Sequence, residues 1–496
     1  INGNCDWVYE EEFSFSKAYE WSPDGNFIAF YKFDESKVKD FTMTYYDDNT
    51  NYPRYYTFKY PKAGEANSVV KIFTYNLTTS HTQKIDLGTE TDIYIPRIKW
   101  ASKDKLAVFR MNRLQNKLEI LMAEAVMGAT KLFLAEENKY YVDINDNVYF
   151  LNDGQAVIYT SESNGYNHLY YYDGKSGVEK SLTNGSWDID NIVGFDAAKQ
   201  DVYYTAGKHT PLERELYKLN IKTLHEKTLT TQNGFNQVTA CQGYKYFVVK
   251  FQSTQQVPTF SLIDPNGRTV RILEDNATLA NTIKQFQLGA VSFFTFNNRE
   301  NESLNAYKIL PPDFDSSKKY PVLMYQYSGP GSQQVLNKFQ MDSYFWHQYL
   351  AQQGYIIVVA DGTGTGGRGE TFKKKTYLQL GNLESNDQID AAKYLATLPY
   401  VDAQRIGIWG WSYGGFMSST CILKAAIAVA PVTNWRFYDN IYTERYMRTP
   451  QENPKGYDDN APEKMAQNLK GSFLLIHGLG DDNVHFQNAA VLTNEL

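Results

Sequence analysis

A Gly-x-Ser-x-Gly motif is the stretch whose residue types and spacing most directly indicate chemistry. Residues 410–415 read Gly-Trp-Ser-Tyr-Gly-Gly, with the serine at Ser412. A β-branched run precedes the motif and a potential helix follows it, so the serine lies at a strand-to-helix turn. Such a turn lifts the hydroxyl above the edge of a sheet, where it can act as a nucleophile. An ordinary glycine-serine turn is the alternative, and the flanking strand and helix favour the nucleophile.

A carboxylate that could orient a catalytic base follows later in the chain. Hydrolases with this motif place their catalytic residues in the order Ser, Asp or Glu, His. Residues 473–476 form a predicted strand, and Asp481 and Asp482 lie in the loop after it. We predict Asp481 as the orienting acid and keep Asp482 as the alternative. Capping of a helix is the non-catalytic role for either residue.

The base itself is not evident among the histidines of this sequence. His485 lies four residues after Asp481 and is expected to point away, and His477 is expected to satisfy the turn. The other histidines precede Ser412, in the wrong order. We therefore expect the catalytic histidine beyond Leu496. A catalytically silent propeller scaffold is the alternative.

Two groups are predicted to stabilise an oxyanion near Ser412. The backbone N–H of Tyr413, the residue after the nucleophile, is the usual first donor. The second is expected from a loop after an earlier strand, and the tight loop Tyr-Ser-Gly-Pro-Gly begins at Tyr327. The Tyr327 hydroxyl could reach the site, although core packing is its alternative role.

An acidic run near the start of the chain could bind a cation. Residues 6–13 read Asp-Trp-Val-Tyr-Glu-Glu-Glu-Phe, which includes Glu11 and Glu12. Exposed acidic runs are usually only solvated, but this one has aromatic flanks. Two adjacent carboxylates can serve one site only on a helical turn, because neighbouring side chains of a strand diverge. At about 4 Å and an effective dielectric constant of about 20, one contact to an ammonium is worth about 4 kcal/mol before desolvation. Such a pair would suit a free peptide N-terminus.

The remainder of the chain predicts two kinds of architecture. Residues 1 to about 285 repeat a turn followed by an aromatic strand, and the last units are spaced by about 45–50 residues, which favours four-stranded propeller blades over a β-sandwich array. From about residue 300 strands alternate with helices, which indicates an α/β fold. We predict a β-propeller over residues 1–290 and an α/β-hydrolase domain over 291–496, with a linker around 297–303. Residues 36–78 interrupt the first unit as a long tyrosine-rich insertion, of the kind that serves an interface or a site unless it is an ordinary hairpin.

Composition excludes several classes of protein. The 496 residues carry a formal net charge of −7, which argues against a nucleic-acid-binding surface. The three cysteines, Cys5, Cys241 and Cys421, are widely separated and form no metal or disulfide pattern. No apolar run approaches the length of a membrane span. We expect no metal and no cofactor.

Several of these stretches together resemble the dipeptidyl peptidase branch of the prolyl oligopeptidase family of serine peptidases. The matching segments are residues 6–12, 60–64, 410–415, 442–447 and 477–487. The resemblance covers essentially the whole chain and implies an eight-bladed propeller capped by an α/β-hydrolase domain. The chain has room for five or six blades, so the first blades are expected to be missing. The propeller disulfides of mammalian members have no counterpart here, which indicates a bacterial-type member.

The resemblance also implies an activity and a role for individual residues. It implies release of N-terminal dipeptides with Pro or Ala at the second position. Ser412 would be the nucleophile, Asp481 the orienting acid, Tyr327 and the Tyr413 amide the oxyanion donors, and Glu11 and Glu12 the site for the substrate amine. Asn483 would contact a substrate carbonyl. A proline pocket would be lined by Val432, Trp435, Tyr438, Tyr442 and Val484.

Related activities stay open as alternatives. A prolyl tripeptidyl peptidase and an acylaminoacyl peptidase or esterase of the same fold would carry similar motifs. Family members dimerise through the hydrolase domain and the long blade insertion, so a homodimer is expected. A periplasmic or otherwise extracytoplasmic location is expected from peptide trimming in a bacterium.

Overall fold

The computed structural model describes residues 1–46, 49–339, 343–421 and 424–496. Its strands up to residue 274 are β1 Tyr19–Trp21, β2 Phe27–Asp34, β3 Asp40–Tyr45, β4 Arg54–Lys59, β5 Val69–Asn76, β6 His81–Lys84, β7 Ile93–Trp100, β8 Lys105–Asn112, β9 Lys117–Glu124, β10 Thr130–Glu137, β11 Val148–Leu151, β12 Ala156–Ser161, β13 His168–Asp173, β14 Val178–Ser181, β15 Ile189–Asp196, β16 Asp201–Ala206, β17 Glu215–Asn220, β18 Glu226–Thr228, β19 Phe235–Ala240, β20 Phe247–Ser253, β21 Gln256–Ile263 and β22 Thr269–Glu274.

These strands build five four-stranded antiparallel sheets within the described residues. Their strand orders are β1-β2-β5-β6, β10-β9-β8-β7, β11-β12-β13-β14, β15-β16-β17-β18 and β19-β20-β21-β22. Inner strands such as β12 and β16 are buried along their whole length, whereas outer strands such as β14 and β22 are exposed throughout. This repeated four-stranded unit confirms the predicted β-propeller class.

The insertion in the first sheet is a two-stranded hairpin, β3–β4. It lies between β2 and β5 in sequence. It leads into Tyr60 and Pro61, which form hydrogen bonds with Asn483 and Asn440. Its turn side exposes tyrosines: Tyr46 and Tyr52 are 73% and 83% exposed. The hairpin also reaches the loop after the last strand, because a Cβ at Gly480 would lie 2.9 Å from the Tyr45 ring.

A second type of sheet begins at residue 291. Its strands are β23 Val291–Asn297, β24 Ser303–Ile309, β25 Tyr320–Tyr325, β26 Ile356–Ala360, β27 Val401–Trp411, β28 Ala425–Val429 and β29 Ser472–Ile476. The order is β23-β24-β26-β25-β27-β28-β29. The first three are antiparallel neighbours, and β26 to β29 are parallel. The mostly parallel sheet confirms the predicted α/β-hydrolase class.

The helices of the described residues have between four and fifteen residues. They are α1 Trp7–Phe13, α2 Ala277–Ile283, α3 Tyr344–Gln352, α4 Glu370–Lys373, α5 Asn382–Ala396, α6 Tyr413–Thr420, α7 Asn440–Met447, α8 Pro454–Asp459 and α9 Gln487–Glu495, with 3-10 turns at Gln242–Tyr244, Lys374–Thr376, Trp435–Phe437 and Pro462–Asn468. Among the described residues, no helix is long and apolar enough to cross a lipid bilayer.

The predicted linker around residues 297–303 is wrong. β23 ends at Asn297 and β24 begins at Ser303, and the two strands pair with each other. Arg299 in this turn donates to Asp390 on α5, with Nε 2.8 Å from Oδ2. A polar turn between two strands of one sheet has the composition of a linker, so local sequence does not separate the two. The domain boundary at residue 290 stays a prediction.

Two sets of ion pairs join the propeller sheets to the α/β sheet. Arg113 donates from Nε and Nη2 to both carboxylate oxygens of Glu444 on α7, each at 2.8 Å. Lys373 at the end of α4 contacts Asp143 and Glu162 of the propeller. Because Glu444 is only 1% exposed, the bidentate pair is the more costly of the two to break.

Candidate active site

Ser412 lies at a strained turn between β27 and α6. Its backbone adopts φ 57° and ψ −115°, a combination that few non-glycine residues occupy. Its amide donates to the carbonyl of Val429 on β28 (2.9 Å), and its own carbonyl accepts from Phe416 (2.9 Å). The turn therefore follows from the neighbouring strand and from the first turn of α6, which together hold the serine in one orientation.

The glycines of the motif are required by close backbone approach. A Cβ at Gly414 would lie 2.3 Å from the carbonyl oxygen of Gln326, and one at Gly410 would lie 2.6 Å from the same atom. A Cβ at Gly415 would lie 2.7 Å from the carbonyl oxygen of Val429. Distances below 3 Å cannot be met without moving a strand. The motif thus packs helix α6 directly on β27 and β28 and against the residue that follows β25.

Tyr327, two residues after β25, lies near this serine. Burial raises the pKa of Tyr327 to about 12, and the Ser412 side chain acts in the opposite direction and lowers it. The hydroxyl is therefore protonated at neutral pH and can donate to developing negative charge. The preceding residue, Gln326, holds the start of this loop against α6, because its side-chain amide donates to the Gly414 carbonyl at 2.8 Å.

Tyr413 offers its backbone to the site and keeps its side chain in the core. It is the first residue of α6, so its N–H is one of the helix-end donors that have no partner within the helix. Its buried hydroxyl donates to Glu384 Oε1 at 2.6 Å. Glu384 is fully buried on α5 and also accepts from the Gly381 amide at 3.0 Å, and burial raises its pKa to about 7. Sequence reasoning missed Glu384, because only the tertiary contact with Tyr413 reveals it.

Asp481 reaches the same edge of the sheet from the end of β29. Trp411, Val429 and Ile476 are register neighbours across β27, β28 and β29, so the loops after them leave the sheet side by side. One carboxylate oxygen of Asp481 accepts from the Val484 amide at 2.9 Å. Its other oxygen lies 3.6 Å from His477 Nε2.

The two histidines of this loop have structural surroundings, as expected from the sequence. His477 Nε2 lies 2.6 Å from the Val484 carbonyl oxygen. His485 is fully buried and stacks on Phe41 of the hairpin insertion, with ring centroids 3.4 Å apart. Burial lowers the pKa of His485 to about 3, so its ring is neutral at physiological pH.

Glu11 and Glu12 lie on helix α1, as the acidic run predicted for a helical turn. Asp6 caps this helix by accepting from the Tyr9 amide at 3.1 Å, and Ser14 ends it in the left-handed region at φ 57°. The Asn483 amide nitrogen donates to Glu11 at 2.6 Å. Burial raises the pKa of both glutamates, strongly for Glu12.

Tyr327 links the acid pair to the serine. The negative charges of Glu12 and Glu11 contribute to the raised pKa of Tyr327, and the Ser412 side chain lowers that pKa. A cavity of about 520 Å³ adjoins this region and is lined by residues of both sheet systems, among them Tyr446, Gly331 and Glu162. The hydrogen bond from Asn483 to Glu11 brings the two ends of the chain together.

An aromatic cluster includes Tyr413, the neighbour of the serine, and tyrosines whose pKa the charge of Glu12 raises. The Trp435 and Tyr442 rings stack at 5.7 Å, and Tyr438 meets Tyr442 edge-on at 5.4 Å. The cluster contains all five residues predicted for the proline pocket, together with both tyrosines predicted for the oxyanion site: Val432, Trp435, Tyr438, Tyr442, Val484, Tyr327 and Tyr413. An apolar aromatic surface of this kind suits a ring that carries no hydrogen-bond donor.

A short antiparallel bridge fixes this pocket to the propeller. Lys62 pairs with Asp439, the Ala63 amide donates to the Tyr438 carbonyl at 3.1 Å, and the Asn440 amide donates to the Pro61 carbonyl at 3.0 Å. The predicted long insertion therefore ends as part of the pocket wall.

Comparison with known proteins agrees with this architecture. A family model described as dipeptidyl peptidase IV N-terminal region matches residues 1–258, and a model described as prolyl oligopeptidase family matches residues 342–496. "Probable dipeptidyl peptidase 4" of Aspergillus fumigatus is 34% identical over 526 residues, covering 100% of this chain and 68% of that protein. Dipeptidyl peptidase 4 of Trichophyton equinum is 33% identical, covering 100% and 67%.

A solved structure shows the same fold. The crystal structure of Porphyromonas gingivalis dipeptidyl peptidase 4 superposes with a TM-score of 0.96 at 41% identity, covering 100% of this chain and 71% of that one. Together with the family models, this similarity extends over both sheet systems. The chain belongs to the prolyl oligopeptidase family of serine peptidases and carries the N-terminal region of its dipeptidyl peptidase IV branch.

Proposed function

We propose that the protein is a serine exopeptidase that releases dipeptides with Pro or Ala at the second position from peptide N-termini. The observation that carries this proposal is the position of Tyr327: the charges of both glutamates and the Ser412 side chain affect its pKa, and it packs against the aromatic cluster that contains the residues of the predicted proline pocket. The protonated N-terminus would bind the two glutamates, and the second side chain would occupy the pocket. The cleaved bond would then lie at the Ser412 hydroxyl.

The chemistry follows acyl transfer. The Ser412 oxygen attacks the carbonyl carbon of the second residue, and its proton passes through the base to the leaving amine as the C–N bond breaks. The Tyr327 hydroxyl and the Tyr413 N–H would stabilise the oxyanion, and water would hydrolyse the acyl-enzyme. Asp481 would orient the base, for which we propose a histidine C-terminal to Leu496. Asn483 would contact a substrate carbonyl with the second hydrogen of its amide nitrogen.

Product length tests this function. Full-length protein should cleave a Gly-Pro chromogenic amide, and mass spectrometry of longer peptides should show dipeptides. Glu11→Gln and Glu12→Gln should each raise KM for these substrates and leave hydrolysis of a simple ester nearly unchanged. Tripeptide products would favour the tripeptidyl alternative. Ester hydrolysis without any amide hydrolysis would favour the esterase, and loss of neither activity after Ser412→Ala would contradict the assignment.

We also propose that the tyrosine-rich hairpin β3–β4 contacts a second copy of this chain. Its support is the exposure of Tyr46, Tyr52 and Tyr55, which are 73%, 83% and 66% exposed. Light scattering of Tyr52→Ser/Tyr55→Ser should then give the mass of a monomer, in contrast to the unsubstituted protein. An extracytoplasmic location is a further proposal, and fractionation of the source cells would test it.

A further inference from the structure

A third carboxylate lies beside the glutamates of the proposed amine site. Asp439 precedes helix α7 and is fully buried. Its Oδ1 caps the helix by accepting from the Tyr442 amide at 2.9 Å, and its Oδ2 accepts no hydrogen bond from any described residue. The Asp439 side chain is within hydrogen-bonding range of Glu12. Two carboxyl groups in contact cannot both remain ionised without a cation between them.

The surroundings supply less positive charge than this cluster needs. Arg445 on α7 is one cation facing two carboxylates, Glu12 and Asp439, and its Nε also donates to Gln115 Oε1 at 2.8 Å while its guanidinium lies over the Tyr446 ring. Lys62, which pairs with Asp439 through the backbone, directs its ammonium to Gln487 at 2.6 Å instead. The titratable groups that face the carboxyl pair are Glu11 on α1, Arg445, Tyr442 and Tyr446 on α7, Tyr438 before it, Tyr60 on the insertion and Tyr327 after β25.

A proton between the two carboxyl groups is the remaining way to satisfy them. A shared proton gives Asp439 Oδ2 the hydrogen bond that it otherwise lacks and removes the repulsion with Glu12. Burial, with the charge of Glu11, raises the pKa of Asp439 to about 7, and burial with the charge of Asp439 raises that of Glu12. Both pKa shifts are upward, which agrees with the close approach of the two buried carboxyl groups. The pair therefore holds a proton near neutral pH.

We propose that Asp439 is a positioning residue of the amine site, which shares one proton with Glu12 in the free enzyme, and that the substrate's ammonium replaces this proton. The proposal rests on the proposed function, because it takes Glu12 as a ligand of the amine. The exchange balances: an ammonium enters, the shared proton leaves to solvent, and the charge of the site is conserved. Substrate binding is then coupled to the release of one proton.

Calorimetry of the full-length protein tests the exchange. The probe is alanyl-pyrrolidide, which has the amine and the five-membered ring but no scissile peptide bond after the ring. At pH 6 its amine is already charged, so binding measured in buffers of different ionisation enthalpy should show release of about one proton. N-acetyl-alanyl-pyrrolidide, which has no ammonium, should release none. Binding of alanyl-pyrrolidide without proton release would overturn the proposal.

Asp439→Asn separates this role from a structural one. Asparagine keeps an oxygen to cap α7 and donates from its amide to Glu12, which then needs no proton. Between pH 6 and 7 the Kd of the unsubstituted protein should fall by up to about tenfold, as expected for one released proton, and that of the variant by less than about twofold. An equal loss of affinity at both pH values would show a structural role and refute the proposal.

The outcomes also separate this inference from the proposed function. Cleavage of Gly-Pro amides without proton release leaves the exopeptidase assignment standing and removes the role of Asp439. If neither pyrrolidide binds, both fail. Should the variant not fold, the proton count of the unsubstituted protein alone decides the question.

Discussion

Removing the Tyr327 hydroxyl tests whether the geometry around Ser412 is catalytic. Ser412 affects the pKa of this hydroxyl, and the pKa of about 12 keeps the hydroxyl protonated at any assay pH below 10. It is one of two predicted oxyanion donors, and loss of one such donor costs about 2.7–4 kcal/mol of transition-state stabilisation. Tyr327→Phe should therefore lower kcat by about 10²–10³-fold and change KM little, because the donor acts on charge that develops during reaction.

The assay is steady-state hydrolysis of a Gly-Pro amide by full-length protein, with melting temperature recorded alongside. Tyr457→Phe is a matched control: Tyr457 belongs to the same aromatic cluster, but its hydroxyl donates to the Arg448 carbonyl at 2.6 Å. It should lose stability, and kcat should stay within a few-fold of the unsubstituted protein. If Tyr327→Phe keeps its kcat, or loses no more than this control, the hydroxyl is not an oxyanion donor.

Three further changes test the fold around the site. Glu444→Gln breaks the bidentate pair with Arg113 and should lower the free energy of unfolding by about 3 kcal/mol. Glu137→Gln, which breaks an exposed pair with Lys117, should lower it by less than about 0.5 kcal/mol. Equal losses of stability in the two variants would contradict the importance of burial. Gly414→Ala places a Cβ 2.3 Å from the Gln326 carbonyl oxygen and should abolish activity or prevent folding. Gly177→Ala, whose Cβ would meet nothing within 4 Å, should remain active despite the positive φ at this position. An active Gly414→Ala enzyme would refute the packing argument. The pKa of Glu384 is raised to about 7, so the folded state binds more protons than the unfolded state between about pH 4.5 and 7. The free energy of unfolding should therefore fall as pH rises through this window, by up to about 1.4 kcal/mol per pH unit. Glu384→Gln should flatten this pH dependence, and a variant whose pH profile runs parallel to that of the unsubstituted protein would contradict the burial of the Glu384 charge.

Local pattern was enough to predict the residues whose roles depend on neighbours in sequence. Gly-x-Ser-x-Gly after a strand predicts the turn at Ser412, and a shared site for the adjacent Glu11 and Glu12 requires the helical turn on which they lie. The four-stranded units follow from the repeat of about 45–50 residues, and the parallel sheet follows from the alternation of strands and helices after residue 300. Where these elements meet in space was an expectation from resemblance, not from pattern.

The residues that were missed act across long separations in the chain. Asp439 and Glu384 occur in stretches with no distinctive spacing, and each gains its importance from a partner on another element, Glu12 or Tyr413. Asp439 also caps helix α7, and this common role does not distinguish it in the sequence from other capping residues. The turn at 297–303 was mistaken for a linker because both need polar residues. Such features depend on tertiary burial, which single-sequence periodicity does not encode.

The bridge between Lys62 and Asp439 has a consequence for how peptides enter. It joins the aromatic cluster proposed as the specificity pocket to the propeller insertion by main-chain hydrogen bonds, which a change of side-chain conformation does not break. Separation of the two parts on this side would break these hydrogen bonds and disrupt both the aromatic cluster and the cap of α7. A peptide that enters on this side therefore has to do so without breaking the bridge.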